Sequence, residues 1–269
     1  MIVLLTNDDG INADGLQSLR VAFQSVPGAE VYVVAPDRER SASGHAITIH
    51  HPLQVEEMAA GEAAARSFAV NGTPADCVKL GVKALLPKPP DLVVSGINRG
   101  PNLGTDVFYS GTVSAAVESL IMGIPSIAVS LTAFENLDYG FAARFAVYLA
   151  GEVLSRGLPE NTLLNVNVPP LDEEEIAGVA VTRLGKRPYE NVFERRLDPR
   201  GRLYFWLAGE NLSLAGDPDT DVGAIRNNLV SVTPIHLDLT NHEVVSLLSQ
   251  WGLAVGNGKI PPKGGGAPL

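Results

Sequence analysis

Short unbroken apolar runs alternate along the chain with longer segments whose apolar residues recur at helical spacing. Ile2–Thr6 is apolar without alternation and stops abruptly at Asn7-Asp8-Asp9-Gly10. A strand apolar on both faces belongs in a parallel sheet covered by helices on either side. Leu16, Leu19, Val21, Ala22 and Phe23 then predict a helix over Gly15–Ser25, and Glu30–Ala35 a second strand ending at Pro36-Asp37. Strand, helix and strand so early in the chain predict a right-handed unit and a Rossmann-like start.

The alternation continues. Ala46–Val55 reads as extended with a break at Pro52, and Glu56–Arg66 as an exposed loop. Thr73-Pro74-Ala75-Asp76 combines a cap, a first-turn proline and an early acid, predicting a helix to about Leu86, where Pro87-Lys88-Pro89-Pro90 stops it. Buried strands follow at Asp91–Ser95, Ser126–Ser130 and Leu163–Val168, with helices over Thr112–Met122 and Phe141–Leu154 and a long Gly/Asn loop over Gly96–Tyr109. Beyond Pro169-Pro170 the pattern changes. Val179–Leu184 and Leu203–Leu207 are strand-like and flank Arg195, Arg196, Arg200 and Arg202, which predicts a projecting hairpin or arm. Val230–Thr233 is a short strand, and Thr240-Asn241-His242-Glu243 is a capping-box pattern opening a helix to about Gln250. The expected organisation is α/β: a mostly parallel Rossmann-like core with helices on both faces over 1–170, an arm with a strand and helix over 171–250, and a flexible tail over 251–269.

Composition narrows the classes of function. With 45% hydrophobic and 19% charged residues, the 269-residue chain is expected to fold around a sizeable core. A formal charge of −10 argues against a broad basic face for duplex nucleic acid and leaves room for a local anion site. Cys77 stands alone, so neither an internal disulfide framework nor a Cys-rich metal cluster is expected. No run approaches the ~18 apolar residues of a membrane span, and the N-terminus lacks a basic leader, so a soluble cytoplasmic protein is expected.

Three polar clusters directly follow predicted strands: Asn7–Gly10, Pro36–His45 and Ser95–Thr112. In an open parallel sheet they emerge on one edge, where ligands bind. Asp8 and Asp9 repel each other unless a cation or shared proton compensates; a solvated loop turned by Gly10 is the plainer alternative. A hard divalent ion prefers oxygen ligands, and Ser41 and Asn98 in the other two loops could complete its shell. Ser110-Gly111-Thr112 opens a helix, where hydroxyls and free amides cap the helix and can also bind phosphate. The position after the first strand lacks the G-x-G-x-x-G turn of a nicotinamide site and places negative charge there instead, which speaks against a dinucleotide enzyme. His45 either orients its loop, touches a substrate or is a structural histidine. Cys77 reads as core and Lys79 as a helix-surface residue.

Several of these segments carry a resemblance: TNDDGI (Thr6–Ile11), VVAPDRERSASGHAITI (Val33–Ile49), NGTPADCVKLG (Asn71–Gly81), DLVVSGINRGPNLG (Asp91–Gly104), YSGTVSAAVES (Tyr109–Ser119) and SVTPIHLDLT (Ser231–Thr240). In these motifs and their order the chain resembles the SurE family of stationary-phase survival phosphatases over roughly Met1 to Gln250. The resemblance implies a metal-dependent 5′-nucleotidase acting on nucleoside 5′- and 3′-monophosphates, in some members also on short polyphosphate. It implies a swapped C-terminal arm building homodimers or homotetramers, and one Mg²⁺ or Mn²⁺ per subunit held by Asp8, Asp9, Ser41 and Asn98. Ser110-Gly111-Thr112 matches the family's phosphate loop, with Asn102 and Asp106 expected to complete the pocket. Asp8, Asp9, Asn98 and Ser110 are the expected catalytic residues. Tyr109 fills a place where some relatives carry His and is given no proton-transfer role. The rival from another class is a nucleotide-binding regulator without turnover, in which the metal is structural.

Overall fold

The computed structural model describes residues 1–58, 66–186, 192–208, 217–251 and 253. Contacts divide the chain into two units, Met1–Leu237 and Asp238–Leu269. The first is built on one nine-stranded sheet of β1 (Ile2–Thr6), β2 (Glu30–Pro36), β3 (Val55–Glu57), β4 (Arg66–Val70), β5 (Leu92–Arg99), β6 (Ser126–Leu131), β7 (Thr162–Val168), β8 (Gly178–Val181) and β11 (Leu229–His236). Their order is β3-β4-β2-β1-β5-β6-β7-β11-β8. The six central strands from β4 to β7 run parallel, while β3 and β11 each pair antiparallel with their inner neighbour.

Apolar side chains on both faces of the strands explain the layering. Val3 and Leu5 of β1 pack with Leu16, Leu19 and Phe23 of α1 (Asp14–Gln24) and with Ala146 and Val153 of α4 (Gly140–Arg156). Ile2 and Leu4, pointing the opposite way, meet Cys77 and Val78 of α2 (Pro74–Leu80) and Ala115 of α3 (Gly111–Ile121). The Rossmann-like α/β arrangement with helices on both faces is therefore present, and Cys77 is core at 0% exposure.

Several elements depart from the sequence expectation. β4 falls just beyond the segment read as a loop, of which 59–65 lie outside the described residues. Its outer half is polar because Arg66 pairs at the surface with Glu57 of β3, and this hides the apolar Phe68-Ala69-Val70. Ala46–Val55 forms no strand except at its last residue. The helix from Pro74 gives way at Gly81 to a wider π turn over Gly81–Leu85. Val179–Val181 belongs to the main sheet, where β8 pairs parallel with β11, instead of to the arm. The projecting hairpin is β9 (Val192–Leu197) with β10 (Leu203–Ala208), so Arg195 and Arg196 lie within a strand; residues 187–191 of the expected arm lie outside the described residues.

A short helix, α5 (Asp221–Arg226), precedes β11. In the second unit α6 (His242–Ser249) is capped by Asn241, whose side chain accepts from the Val244 N–H at 3.1 Å, instead of by Thr240. Apart from Trp251 and Leu253, the tail expected over 251–269 is outside the described residues. No described helix is long and apolar enough to cross a membrane.

Candidate metal and phosphate site

The chain leaves β1 toward β2 and later returns to β5 on β1's other side, so the connections diverge between the carboxyl ends of β1 and β5. That switch point is where an open α/β sheet receives ligands. The turn after β1 is folded by Asn7: its Nδ2 donates to the Gly10 carbonyl at 2.9 Å, and its Oδ1 accepts from the Gly10 N–H at 3.2 Å. Asp8 is thereby carried inward to 4% exposure, while Asp9 remains half-buried.

α3 begins directly against Asp8. The Thr112 hydroxyl donates to Asp8 Oδ1. A Cβ on Gly111 would lie 2.7 Å from both Asp8 Cβ and Oδ2, so a glycine is what lets the helix start this close. Ser110 is the cap, its Oγ accepting from the Val113 N–H at 3.1 Å. The carbonyl of Asp106 accepts from the Tyr109 and Ser110 N–H groups at 2.9 and 3.1 Å and so sets the turn that presents Ser110.

Backbone hydrogen bonds fasten all three loops together here. Arg40 N–H donates to the Asp8 carbonyl at 2.7 Å, bringing the residue before Ser41 onto the carboxylate turn. Gly44 N–H donates to Tyr109 O at 3.1 Å, beside Ser110. Arg99 N–H donates to Asp9 Oδ2 at 3.0 Å, beside Asn98. Ser41 itself is exposed, and its hydroxyl donates to Glu39 Oε1 at 2.7 Å. Asn98, half-buried, donates from Nδ2 to the Gly100 carbonyl at 2.8 Å.

Asn102 is placed differently, inside the protein. It is 6% exposed, donates from Nδ2 to Ser130 Oγ at 2.8 Å and from its backbone N–H to Asn167 Oδ1 at 2.9 Å, and its carbonyl receives Asn165 and Asn167. Its bonds lock the loop to β6 and β7.

Two supports escaped the sequence reading. Asp221, fully buried at the start of α5, accepts backbone N–H groups from Gly104 and Gly185 at 2.7 Å and from Val222 at 2.8 Å. Asp76 closes a capping box with Thr73 and also accepts Thr48 N–H at 2.9 Å, which fixes the far end of the Ser41 loop. Asp76 reads in the sequence only as an early acid of its helix and Asp221 carries no motif, because the distant partners of both leave no local signal.

Burial dominates the electrostatics. It pushes the Asp8 carboxyl up to about 6 against the opposing hydrogen bond from Thr112, and the neighbouring charge of Asp9 adds to the rise. Asp9 is also raised by burial, which the Arg99 N–H and guanidinium do not offset. No three His, Cys, Asp or Glu side chains gather into a metal cluster among the described residues. Any cation here would draw on two carboxylates and neutral oxygens, a donor set suited to Mg²⁺ or Mn²⁺. The buried, under-compensated Asp8, packed against the first turn of α3 at Gly111 with Asp9 beside it, fits such an ion.

Fold and rim together define an α/β protein with an acidic, oxygen-rich site facing a capped helix N-terminus at the switch point. The chain matches the family model described as Survival protein SurE over residues 3–191. It is 55% identical over 252 residues to the 5′-nucleotidase SurE of Symbiobacterium thermophilum, covering 94% of this chain and 98% of that one. Against the 5′-nucleotidase SurE of Moorella thermoacetica the identity is 56% over 242 residues, covering 90% and 92%. The crystal structure of the Sure protein from Aquifex aeolicus superposes with a TM-score of 0.81 at 44% identity, covering 94% of this chain and all of that one. The chain belongs to the SurE family.

Proposed function

We propose that the rim at Asp8 and Asp9 is the active site of a metal-dependent 5′-nucleotidase, which hydrolyses nucleoside 5′-monophosphates to nucleoside and phosphate. One observation carries this reading above the others: a carboxylate at 4% exposure, next to a second one, abuts the first turn of a capped helix. The relatives' names support the nucleotidase assignment. Nucleoside 3′-monophosphates and short polyphosphate are further substrates in this reading, since both present a terminal phosphate to the same groups.

Asp8, Asp9, Ser41 and Asn98 would hold one Mg²⁺ or Mn²⁺ per subunit. When bound, the cation supplies positive charge that offsets the negative charge of the phosphate ester. The protein's own groups do the rest. Ser110 keeps its hydroxyl hydrogen for a phosphate oxygen while its Oγ caps α3, and the first turn adds the positive end of the helix dipole. Thr112 fixes the Asp8 carboxylate, Arg99 N–H fixes that of Asp9, and Asp106 and Asn102 hold the backbone on either side of Gly104. The substrate is thus oriented for direct attack of water on phosphorus, the bond to the nucleoside oxygen breaking.

The β9–β10 hairpin supports an assembly role for the arm, as a homodimer or homotetramer. Phe193, Phe205 and Trp206 are exposed on it, and an isolated two-stranded hairpin is marginal in water without a covering surface.

A panel of nucleoside monophosphates assayed for phosphate release with Mn²⁺, Mg²⁺ or chelator tests the function. The expected result is metal-dependent release that is nearly abolished in folded Asp9→Asn. Nucleotide binding without metal-stimulated release would make the protein the regulator instead. Normal, chelator-insensitive hydrolysis by Asp9→Asn would falsify the carboxylate assignment.

A further inference from the structure

Among the buried carboxylates outside the rim, Asp76 and Asp221 are taken up by backbone N–H groups, whereas Glu118 meets charged and titratable side chains. Glu118 lies on α3 two turns beyond Gly111, its side chain 4% exposed. Its Oε2 meets His45 Nε2 at 2.9 Å, and its Oε1 meets Lys79 Nζ of α2 at 2.8 Å. A carboxylate withdrawn from water to this degree needs such partners. Lys79, read from sequence as a surface residue, supplies the balancing charge at one carboxylate oxygen and leaves the other to His45.

The position of this cluster gives it meaning. His45 ends the loop that carries Ser41. That loop turns through left-handed backbone at Ala42, with φ of 56°, and again two residues on at Gly44. It is tied upstream by Arg40 N–H to Asp8 and downstream by Thr73 Oγ1, which donates to the Ala46 carbonyl at 2.7 Å. His45 is the side chain by which the loop reaches α3, the helix whose first turn faces Asp8. Seven residues along the helix from Gly111 place Glu118 about 10 Å from the first turn along the axis, and His45 links it to the loop.

We propose that His45, clasped by Glu118 and through it by Lys79, is a positioning residue that seats Ser41 against the carboxylate turn and so sets the rim's affinity for its divalent cation. The inference rests on the reading of the rim as a cation site and deepens it.

Calorimetric titration of Mn²⁺ into chelator-treated protein, without nucleotide, tests it. His45→Ala should weaken Mn²⁺ binding about fivefold, the size expected for one half-exposed charge-assisted hydrogen bond. His45→Gln, whose amide can still donate to Glu118, should recover most of that loss. The pair His45→Ala with Glu118→Ala should bind no more weakly than either single variant, because the two act as one unit. The nucleotide KM at saturating Mn²⁺ should stay unchanged, whereas a merely structural role would lower the unfolding temperature and leave Mn²⁺ affinity alone. Mn²⁺ affinity equal to the parent's in His45→Ala, or additive losses in the double variant, overturns the clasp. If Glu118→Ala does not fold, the comparison of His45→Ala with His45→Gln still decides. A parent protein that takes up no Mn²⁺ overturns the cation reading itself, an outcome distinct from failure of the clasp.

Discussion

Gly111→Ala isolates the contact between α3 and Asp8. The added methyl would sit 2.7 Å from Asp8 Cβ and Oδ2, where ordinary contact begins at 3.4 Å, so one partner must move by roughly 0.7 Å. The helix itself accepts the change: alanine is favoured over glycine in helices by up to ~1 kcal/mol, against ~1–3 kcal/mol for overpacking. The net loss of stability is then at most about 3 kcal/mol, a fall in Tm of no more than ~12 °C for a chain of this size. Catalysis is far less tolerant, because a displacement approaching 1 Å at a reacting centre can cost about 100-fold. Phosphate release from AMP with Mn²⁺ should therefore show kcat/KM reduced by roughly 30- to 100-fold while thermal unfolding shows a folded protein. Gly151→Ala on α4, where a methyl meets nothing within 4 Å, serves as the control and should leave activity intact. Activity of Gly111→Ala within about threefold of the parent would refute the claim that Asp8 must stay where α3 holds it.

Other outcomes follow from the same geometry. Because the native Asp8 carboxyl titrates near 6 against 3.8 unfolded, its contribution to stability is full below 3.8 and is lost as pH rises through 6. Cation-free Asp8→Asn should accordingly be more stable than the cation-free parent at pH 7.5, by an amount on the order of 3 kcal/mol, with the gap closing toward pH 4 in thermal melts. Asp221→Ala strands the Gly104, Gly185 and Val222 N–H groups inside the protein and should lower stability by several kcal/mol, at about 1–3 kcal/mol for each buried donor, read from denaturant unfolding. Burial raises the Cys77 thiol well above its ordinary range, so iodoacetamide should leave native protein unlabelled at pH 8 and modify it once unfolded, as mass spectrometry would show.

The parts legible in the sequence were those written in local pattern. β1, β2, β5, β6 and β7 are short apolar runs, and the polar clusters follow at the carboxyl edge of a parallel sheet, except that Ser95–Arg99 of the third, Asn98 included, continue β5 instead of opening a loop. Asp8 with Asp9 and Ser110 with Thr112 could be singled out because each pair sits at the junction of two elements. What the chain concealed depends on partners far away in sequence. β4 is half polar where it lies near the sheet's edge and lacks the signature of a buried strand, while Val179–Leu184 is strand-like but its exposed Val179 and Val181 hide that β8 joins the main sheet. Asp76 is legible as an early acid of its helix and Asp221 not at all, and only folding reveals that they grip Thr48 and Gly104. Asn102 follows a strand like the other site candidates, yet its neighbours on β6 and β7 draw it into the interior.

The claim on which the chemistry rests is that the acidic rim holds a divalent cation between the carboxyl ends of β1 and β5. An anomalous difference map from crystals grown with Mn²⁺ tests it most directly. The expected result is one strong peak per chain at about 2.1 Å from oxygens of Asp8 and Asp9, with Asn98 and Ser41 beside it. A map with no peak there, and the two carboxylates turned apart toward solvent, would contradict it.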